Sequence, residues 1–153
     1  MKVSAKADYA VRAAAELAAA SSADRPTRAE AIATAQGIPQ RFLENILSDL
    51  RHAGLVTSVR GAEGGHRLSR SPERITVADV IRAVDGPLAA VRGERPESVA
   101  YSGPAEPLQR VWIAVRKNLR EVVEQVTLAD LAAGRVPPAV EAKAEDPEAW
   151  VTR

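Results

Sequence analysis

Residues 37–68 constrain the fold most, because a strongly patterned helix there passes directly into a glycine-rich hairpin. Pro39 suits the first position of a helix, where a missing N–H has no cost, and Gly54 suits the position just beyond its end. Between them, six apolar residues recur at spacings of three and four: Phe42, Leu43, Ile46, Leu47, Leu50 and Ala53. The spacing predicts an amphipathic helix with one buried stripe.

The side of this helix opposite the stripe is polar. Successive residues turn by about 100°, which groups five side chains on that side: Arg41, Glu44, Asn45, Ser48 and His52. Such side chains suit the reading of base edges, since Arg pairs with guanine, Asn with adenine, and carboxylates accept from cytosine. An ordinary solvated helix face has the same composition, so the helix alone leaves both interpretations open.

The segment after the helix predicts a two-stranded hairpin, or wing. Residues 55–59 are mostly β-branched and apolar, three glycines follow within residues 61–65, and residues 66–68 provide a second strand. The loop lacks the lysine of a phosphate-binding GxxxxGK[ST] motif and joins two strands, so it does not indicate nucleotide binding. Arg60 lies at the base of the turn, where it suits a narrow minor groove with concentrated negative potential.

Two further helices precede this segment. Residues 2–20 are rich in alanine with Ser4 as a candidate cap, and Lys6 is one of the cations there that suit a phosphate backbone. After a polar loop over residues 21–26, Thr27 and Glu30 have the spacing of a capping box, which predicts a helix over residues 28–36 ending at Gly37. The short join to the next helix predicts a helix-turn-helix, and the hairpin makes it the winged form.

Four stretches together resemble a known family: KVSAKADYAVRAAAELA, IPQRFLENILSDLRHAGLVTSVRG, GAEGGHRLSR and ITVADVIRAVDG. They are similar to the Rrf-two family of bacterial regulators, which includes the iron–sulfur cluster regulator and the nitric-oxide-sensing repressor. The resemblance covers residues 1–88 closely and implies a homodimer that binds a palindromic operator and usually represses transcription. Carried over by position, the DNA-contacting residues are Gln40, Arg41, Glu44, Asn45, Ser48 and Arg60. Lys6, His66 and Arg67 complete the predicted DNA-binding set.

Composition excludes several classes of site. The sequence has no cysteine, which excludes disulfides, thiolate zinc sites and cysteine-ligated iron–sulfur clusters, and His52 and His66 are not at a metal-ligand spacing. We therefore expect no metal and no cofactor. Residues 1–75 hold 11 Lys/Arg and 8 Asp/Glu, a charge of +3, while residues 76–153 hold 10 and 12, a charge of −2. The small basic excess lies in the half with the helix and the hairpin, as a polyanionic partner requires.

Residues 76–107 predict a capped helix and a long loop. Thr76 and Asp79 form a second capping box, and the helix ends at residues 85–87 after an apolar face that packs on the winged domain: Val77, Val80, Ile81 and Val84. Glycines and prolines are spread through residues 88–107, the region that carries three cysteines in cluster-binding relatives. Their absence removes cluster-based sensing and leaves either an ordinary loop or one that recognises another ligand through Tyr101 or Trp112.

A long helix predicted over residues 106–126 has the alternating spacing of a two-stranded seam: Leu108, Trp112, Val115, Leu119, Val122 and Val126. The stripe predicts dimerisation, with burial against the winged domain as the alternative. Thr127 and Asp130 then predict a short capped helix closed by Gly134. Residues 135–153 mix prolines with Glu and Ala and predict a flexible tail, in which Trp150 is an unusual residue to leave in water.

The predicted fold class is mainly α: a winged helix-turn-helix domain over residues 1–87 with a two-stranded wing, the loop 88–107, and a long dimerisation helix with its short capping helix over 108–134. The predicted function is a dimeric, sequence-specific DNA-binding regulator, a repressor without a cluster. No apolar segment has bilayer length, so we expect a cytoplasmic protein with no membrane partner. The competing function is a winged protein-interaction module, whereas the sequence shows no constellation of an enzyme. The switch stays open between a small molecule held between the winged domain and the long helix, a partner protein, and no effector.

Overall fold

The computed structural model describes residues 1–23 and 25–153, and within these ranges it contains seven α-helices and one two-stranded antiparallel sheet. The elements in chain order are α1 (Ala5–Ala19), α2 (Ala29–Gln36), α3 (Gln40–His52), β1 (Val56–Val59), β2 (Gly65–Leu68), α4 (Val77–Asp85), α5 (Leu108–Val123), α6 (Leu128–Ala132) and α7 (Pro138–Glu145). The mainly helical winged fold is therefore confirmed.

Helix α1 is the centre of the core. Ser4 caps it as predicted, since its hydroxyl oxygen accepts the backbone N–H of Ala7 at 2.9 Å. Its alanines allow neighbouring helices to approach closely, and Ala10, Ala13 and Leu17 are almost completely buried. Helices α2, α3, α4 and α6 and strand β2 all contact α1, so this helix organises the winged domain.

Helix α3 has the predicted amphipathic pattern with three differences. Pro39 is the N-cap and not the first helical residue, because its ψ of 129° is extended and the helix begins at Gln40. The buried stripe consists of Leu43, Ile46, Leu47 and Leu50. Phe42, which is 59% exposed, and Ala53, which is also exposed, were wrongly included in it, because both lie at the edge of the stripe, where neighbouring elements do not bury them.

The capping box predicted for α2 is wrong. Arg28 is the N-cap and forms no side-chain cap, while the backbone of Thr27 pairs with His66 in an isolated antiparallel bridge, with N–O distances of 2.9 and 2.7 Å. The extended backbone of Thr27 therefore pairs with the outer edge of β2 and ties the start of α2 to the wing. Gly37 ends α2 in a left-handed conformation, as predicted. The polar loop predicted over residues 21–26 includes residue 24, which lies outside the described residues.

The wing forms as predicted, with Val56 opposite Leu68 and Val59 opposite Gly65. Its two adjacent glycines are required by close packing of the backbone. A Cβ at Gly65 would lie 2.5 Å from the carbonyl oxygen of Thr27, and one at Gly64 would overlap the carbonyl oxygen of Val59. The turn therefore accepts only glycine at these two positions without a shift of the wing.

Helices α4 and α6 begin side by side. Both have the predicted capping boxes, from Thr76 and Asp79 in α4 and from Thr127 and Asp130 in α6, and the two threonines form an antiparallel bridge. Leu128 is fully buried in the same core as α1, a position for α6 that the sequence pattern did not indicate.

Helix α5 is shorter than predicted, because it ends at Val123. Val126 was predicted on its seam, but it lies beyond the helix, is 6% exposed, and accepts the N–H of Val77 at 2.9 Å. It is therefore covered by its own chain. Residues 88–107 form an irregular connection with 3₁₀ turns at Pro96–Ser98 and Gly103–Ala105.

Residues 135–153, predicted as a flexible tail, include helix α7 and a 3₁₀ turn at Pro147–Trp150. Neither element has a buried residue, and Trp150 is 78% exposed with its indole N–H donating to the carbonyl oxygen of Ala144 at 2.6 Å. The prolines begin these elements rather than preventing them, because Pro is tolerated in the first turn. In the described part of the chain, no helix is long and apolar enough to cross a membrane.

Candidate nucleic-acid interface

The first part of the candidate interface is the polar side of α3. Gln40, Arg41, Glu44 and Asn45 are exposed there, and Ser48 is half-buried one turn further on. The buried stripe holds the opposite side of α3 against α1 and α4, so these five predicted side chains share one accessible surface. An α-helix fits the width of a DNA major groove, and donors and acceptors on its exposed side can pair with those of the base edges.

His52 extends this polar surface to the end of α3. Its Nδ1 lies 2.7 Å from the carbonyl oxygen of Ser48, which accepts a hydrogen bond from Nδ1–H. The contact fixes the orientation of the ring. His52 was on the predicted polar side but not in the predicted DNA-binding set. It is exposed and contacts Ser48, so it belongs to the same surface.

The second part of the interface is the turn of the wing. Arg60 follows β1 directly and is exposed, with the glycine turn on its other side. The guanidinium of Arg28, at the start of α2, donates to the carbonyl oxygen of Ala62 in the turn. This contact fixes the wing against the helix-turn-helix. Sequence reasoning missed Arg28, because the interaction joins residues that are far apart in the chain.

The two further wing residues of the predicted set differ in position. Arg67 is exposed, whereas His66 is half-buried, as the alternation of side chains along a strand requires. Burial lowers the pKa of His66, the positive charge of Arg51 lowers it further, and Glu30 opposes the shift. Within the described residues the buried Nδ1 of His66 has no hydrogen-bond partner. His66 thus packs beneath the wing in its neutral form, while Arg67 remains accessible.

Lys6 reaches the interface from α1. Its ammonium lies 2.6 Å from the carboxylate of Asp49, so part of its positive charge is balanced by α3. The pair borders a shallow groove of about 520 Å³ between α1 and α3, which also includes Tyr9, Phe42 and Asn45. The rings of Tyr9 and Phe42 are 6.4 Å apart and tilted by 54°, which partly covers the exposed Phe42. Sequence reasoning missed this aromatic edge.

Comparison with known proteins identifies the family of this arrangement. The family model described as "Rrf2: Iron-dependent Transcriptional regulator" matches residues 3–134, most of the chain. The chain belongs to the Rrf2 family. The resemblance drawn from the sequence motifs is therefore confirmed.

Individual relatives and their structures support the same family assignment. A protein of Mycobacterium tuberculosis H37Rv, provisionally named as an HTH-type transcriptional regulator, is 48% identical over 146 residues, which cover 95% of this chain and 90% of that protein. The structure of the Bacillus subtilis global cysteine regulator CymR is 36% identical with a TM-score of 0.72, covering 88% of this chain and 98% of that one. The structure of IscR from T. potens is 33% identical with a TM-score of 0.66, covering 100% and 93%. The protein is a DNA-binding transcriptional regulator of the winged helix-turn-helix class and not an enzyme.

The donor atoms of this chain do not fit the iron–sulfur cluster that the family suggests. The sequence supplies no thiolate, and the described residues contain no group of three or more His, Asp or Glu side chains that could hold a metal ion. Clusters are held by cysteine thiolates, in some cases with histidines, so the side chains of this sequence do not fit one.

Proposed function

We propose that the protein is a homodimeric repressor that binds a palindromic operator in the cytoplasm and responds to a signal without an iron–sulfur cluster. The observation that carries the proposal is the pairing of two accessible features: the polar side of α3 with Arg60 beside it, and a long amphipathic helix of which its own chain fully buries no residue. The first feature suits one half-site, and the second suits the joining of two copies.

In the proposed complex, α3 enters the major groove and the wing lies along the adjacent minor groove. Arg41, Asn45 and Gln40 supply sequence preference through base edges, and Glu44 and Ser48 contribute further polar contacts. Arg60 inserts into the minor groove, while Arg67 contacts phosphates. Lys6 contributes less, because Asp49 already holds its ammonium.

The dimer rests on α5. None of its 16 residues is buried, and Val111 is 49% exposed, although isolated helices of this length are marginal in water. Trp112 is engaged within the chain, since its indole N–H donates to the hydroxyl of Tyr101 at 3.1 Å. The stripe left for a second copy is therefore shifted from the predicted seam. It consists of Leu108, Val111, Val115 and Val122, with Leu119 packing inward beside α4.

The DNA contacts are tested with fragments selected from genomic DNA by the purified protein. We expect Arg60→Ala and Asn45→Ala each to weaken binding of the selected operator at least tenfold, because each removes a charged or base-edge contact. Arg110→Ala, which removes a positive charge from the exposed side of α5, is the matched control and should bind as the wild type does. Gel-shift titrations in which both interface variants retain wild-type affinity would overturn the DNA-contact assignment.

The dimer is tested by sedimentation equilibrium. Val111→Asp combined with Val115→Asp places two charges on the proposed dimer stripe of α5 and should convert the dimer to a monomer, because an uncompensated charge is costly in an apolar interface. Val151→Asp changes an equally exposed valine outside α5 and should leave the dimer intact. A wild-type protein that is monomeric at micromolar concentration contradicts the proposal directly.

The alternative function is a winged protein-interaction module that DNA does not occupy. It is favoured by the weak basic excess, by Glu63 in the wing, and by the neutralisation of Lys6. The salt dependence of genomic-fragment binding decides between the two functions: a repressor loses affinity steeply as salt rises, because phosphate contacts release counterions. Failure to retain any fragment at low salt favours the interaction module.

A further inference from the structure

Four arginines line one cavity between α4, the 88–107 loop and α5. Arg82 comes from α4, Arg95 from the loop, and Arg116 and Arg120 from successive turns of α5, around a space of about 480 Å³. Gly86, Pro87 and Leu88 also line it, as does one carboxylate, that of Glu97. None of these residues belongs to α3 or the wing, so the cavity is separate from the proposed DNA interface.

The positive charge of this cavity is only partly balanced. Glu124 accepts from both Arg82 and Arg120, and Glu97 accepts from Arg116. Asp79 is more distant, at 4.0 Å from Arg82. Two carboxylates in direct contact thus pair with three of the four guanidinium groups, although this half of the sequence has a net charge of −2. The excess of positive charge is therefore local to the cavity.

Arg95 is the residue that the ion pairs do not explain. It lines the cavity together with Glu97, and the pKa of that carboxyl is lowered chiefly by a backbone hydrogen bond, then by Arg116, and also by the positive charge of Arg95. Across residues 1–23 and 25–153, however, Arg95 has no carboxylate within ion-pair distance. The paired guanidinium groups also keep free donors, because Arg120 uses its Nε for Glu124 and leaves its two terminal nitrogens available. Contacts with the carboxylates hold Arg82, Arg116 and Arg120 in place, so little side-chain freedom remains to be lost on binding.

We propose that this cavity binds a small organic polyanion, such as a phosphate ester or a polycarboxylate. Guanidinium groups bind phosphate and carboxylate oxygens in a bidentate manner, and converging ones favour a ligand with two or more negative charges. A cavity of about 480 Å³ exceeds what an inorganic ion fills and lies within the range of sites for small metabolites. Glu97 occupies Arg116 in the free protein, so the ligand competes with this carboxylate.

Binding at this place connects the two functional parts of the molecule. A polyanion held by Arg82 and Arg116 joins α4, which packs on α1 and α3, to α5, the proposed dimer helix. The ligand also contacts the 88–107 loop, which contributes Arg95 and Glu97 to the cavity. This regulatory consequence rests on the proposed function, whereas anion binding itself does not. By linkage, an anion that changes operator affinity must itself bind with altered affinity when the operator is present.

The test is isothermal titration calorimetry of the full-length protein with pyrophosphate and, separately, citrate, at low and constant ionic strength. Wild-type protein should give saturable binding of one anion per chain. Arg95→Gln should weaken binding about tenfold, the loss expected for one charge-assisted contact. Arg110→Gln removes the same charge from an exposed position on α5 that does not line the cavity, and it should leave affinity unchanged.

Two further variants locate the bound anion. Glu97→Gln should tighten binding severalfold, because it removes the competing carboxylate while retaining a similar shape. Arg60→Ala should have no effect, which separates the cavity from the DNA interface, where a polyanion would also be attracted. Equal weakening by Arg95→Gln and Arg110→Gln would show only general charge attraction. Loss of affinity in Glu97→Gln or in Arg60→Ala would place the anion elsewhere. Each of these results overturns the proposal.

Gel-shift titrations without anion distinguish this proposal from the proposed function. Arg95→Gln should retain wild-type operator affinity, since Arg95 lies outside α3 and the wing. Absence of saturable binding of either probe to the wild type, with operator binding intact, overturns the anion site and leaves the repressor assignment standing. Saturable anion binding without operator binding supports the site and contradicts the repressor assignment.

Discussion

Helices α3 and α5 have the same kind of amphipathic pattern but different surroundings. Helix α3 has 13 residues and buries Leu43, Ile46, Leu47 and Leu50 to 2% exposure or less, while α5 has 16 residues and buries none. The first helix is covered by α1 and α4 of its own chain, whereas the second has its main contacts with the 88–107 loop and with α4. A periodic apolar stripe thus predicts that a helix face will be covered, but it does not indicate which chain covers it.

The largest expected effect comes from removing a core side chain of α3. Leu50→Ala should lower the free energy of unfolding by about 2–5 kcal/mol, because Leu50 is completely buried and the cavity cannot collapse fully. Val111→Ala on α5 should change it by about 0.5 kcal/mol or less at a concentration where the protein is monomeric. Urea denaturation followed by circular dichroism measures both. Equal losses would remove the contrast between the two helices.

The next effect concerns the anchoring of the wing. Gly65→Ala brings a Cβ to 2.5 Å from the carbonyl oxygen of Thr27, so the wing must move away from α2 or the turn must distort. We expect a loss of about 1–3 kcal/mol in unfolding free energy together with weaker operator binding. Gly61→Ala is the control for backbone strain alone, because its Cβ would meet nothing within 4 Å. If Gly65→Ala were no more harmful than the control, close packing against Thr27 would not be what fixes the wing.

Features determined within a few residues were predictable from the sequence. The capping boxes at Thr76 and Thr127 were correct, because both partners lie within one helical turn. Thr27 has the same local spacing with Glu30, but its backbone pairs with His66, which is remote in the sequence, and that contact takes precedence. Whether Val126 faces a partner or its own core likewise depends on the distant Val77.

The candidate interface was predictable to a similar extent. The exposed side of α3 and the position of Arg60 follow from helix period and from the glycine turn, both local properties. The contact of Arg28 with Ala62 and the arginine cavity depend on the packing of separate elements, which no spacing in the sequence encodes. Within the 88–107 loop, Ala89 and Arg92 have positive φ angles of 54° and 53°, conformations that tertiary packing must maintain.

A smaller effect on stability is expected from pH, and it arises from His66 in the wing. The pKa of His66 is lowered from 6.5 in the folded protein, chiefly by burial, so the unfolded chain binds the proton more readily. Stability should therefore fall as the pH is lowered below 6.5, and this loss ends once the folded protein also takes up the proton. Thermal unfolding of wild type and His66→Gln between pH 7.5 and 5.5 tests this. A wild-type melting temperature that falls no further than that of the variant contradicts it.

The smallest expected effect involves an ion pair that links α1 to α3. Asp49→Asn removes the partner of Lys6, and because both side chains are at least 36% exposed, the unfolding free energy should fall by about 1 kcal/mol or less. Operator affinity should nevertheless rise, since the variant frees a cation and deletes a negative charge beside the proposed DNA surface. Glu121→Gln breaks the corresponding pair with Lys117 on α5 and should change stability as little without changing operator affinity. The two variants should therefore affect stability alike, and only the loss of the ion pair beside α3 should alter DNA binding. Gel-shift titrations of both variants at two salt concentrations decide this, and equal affinities would show that Lys6 lies outside the interface.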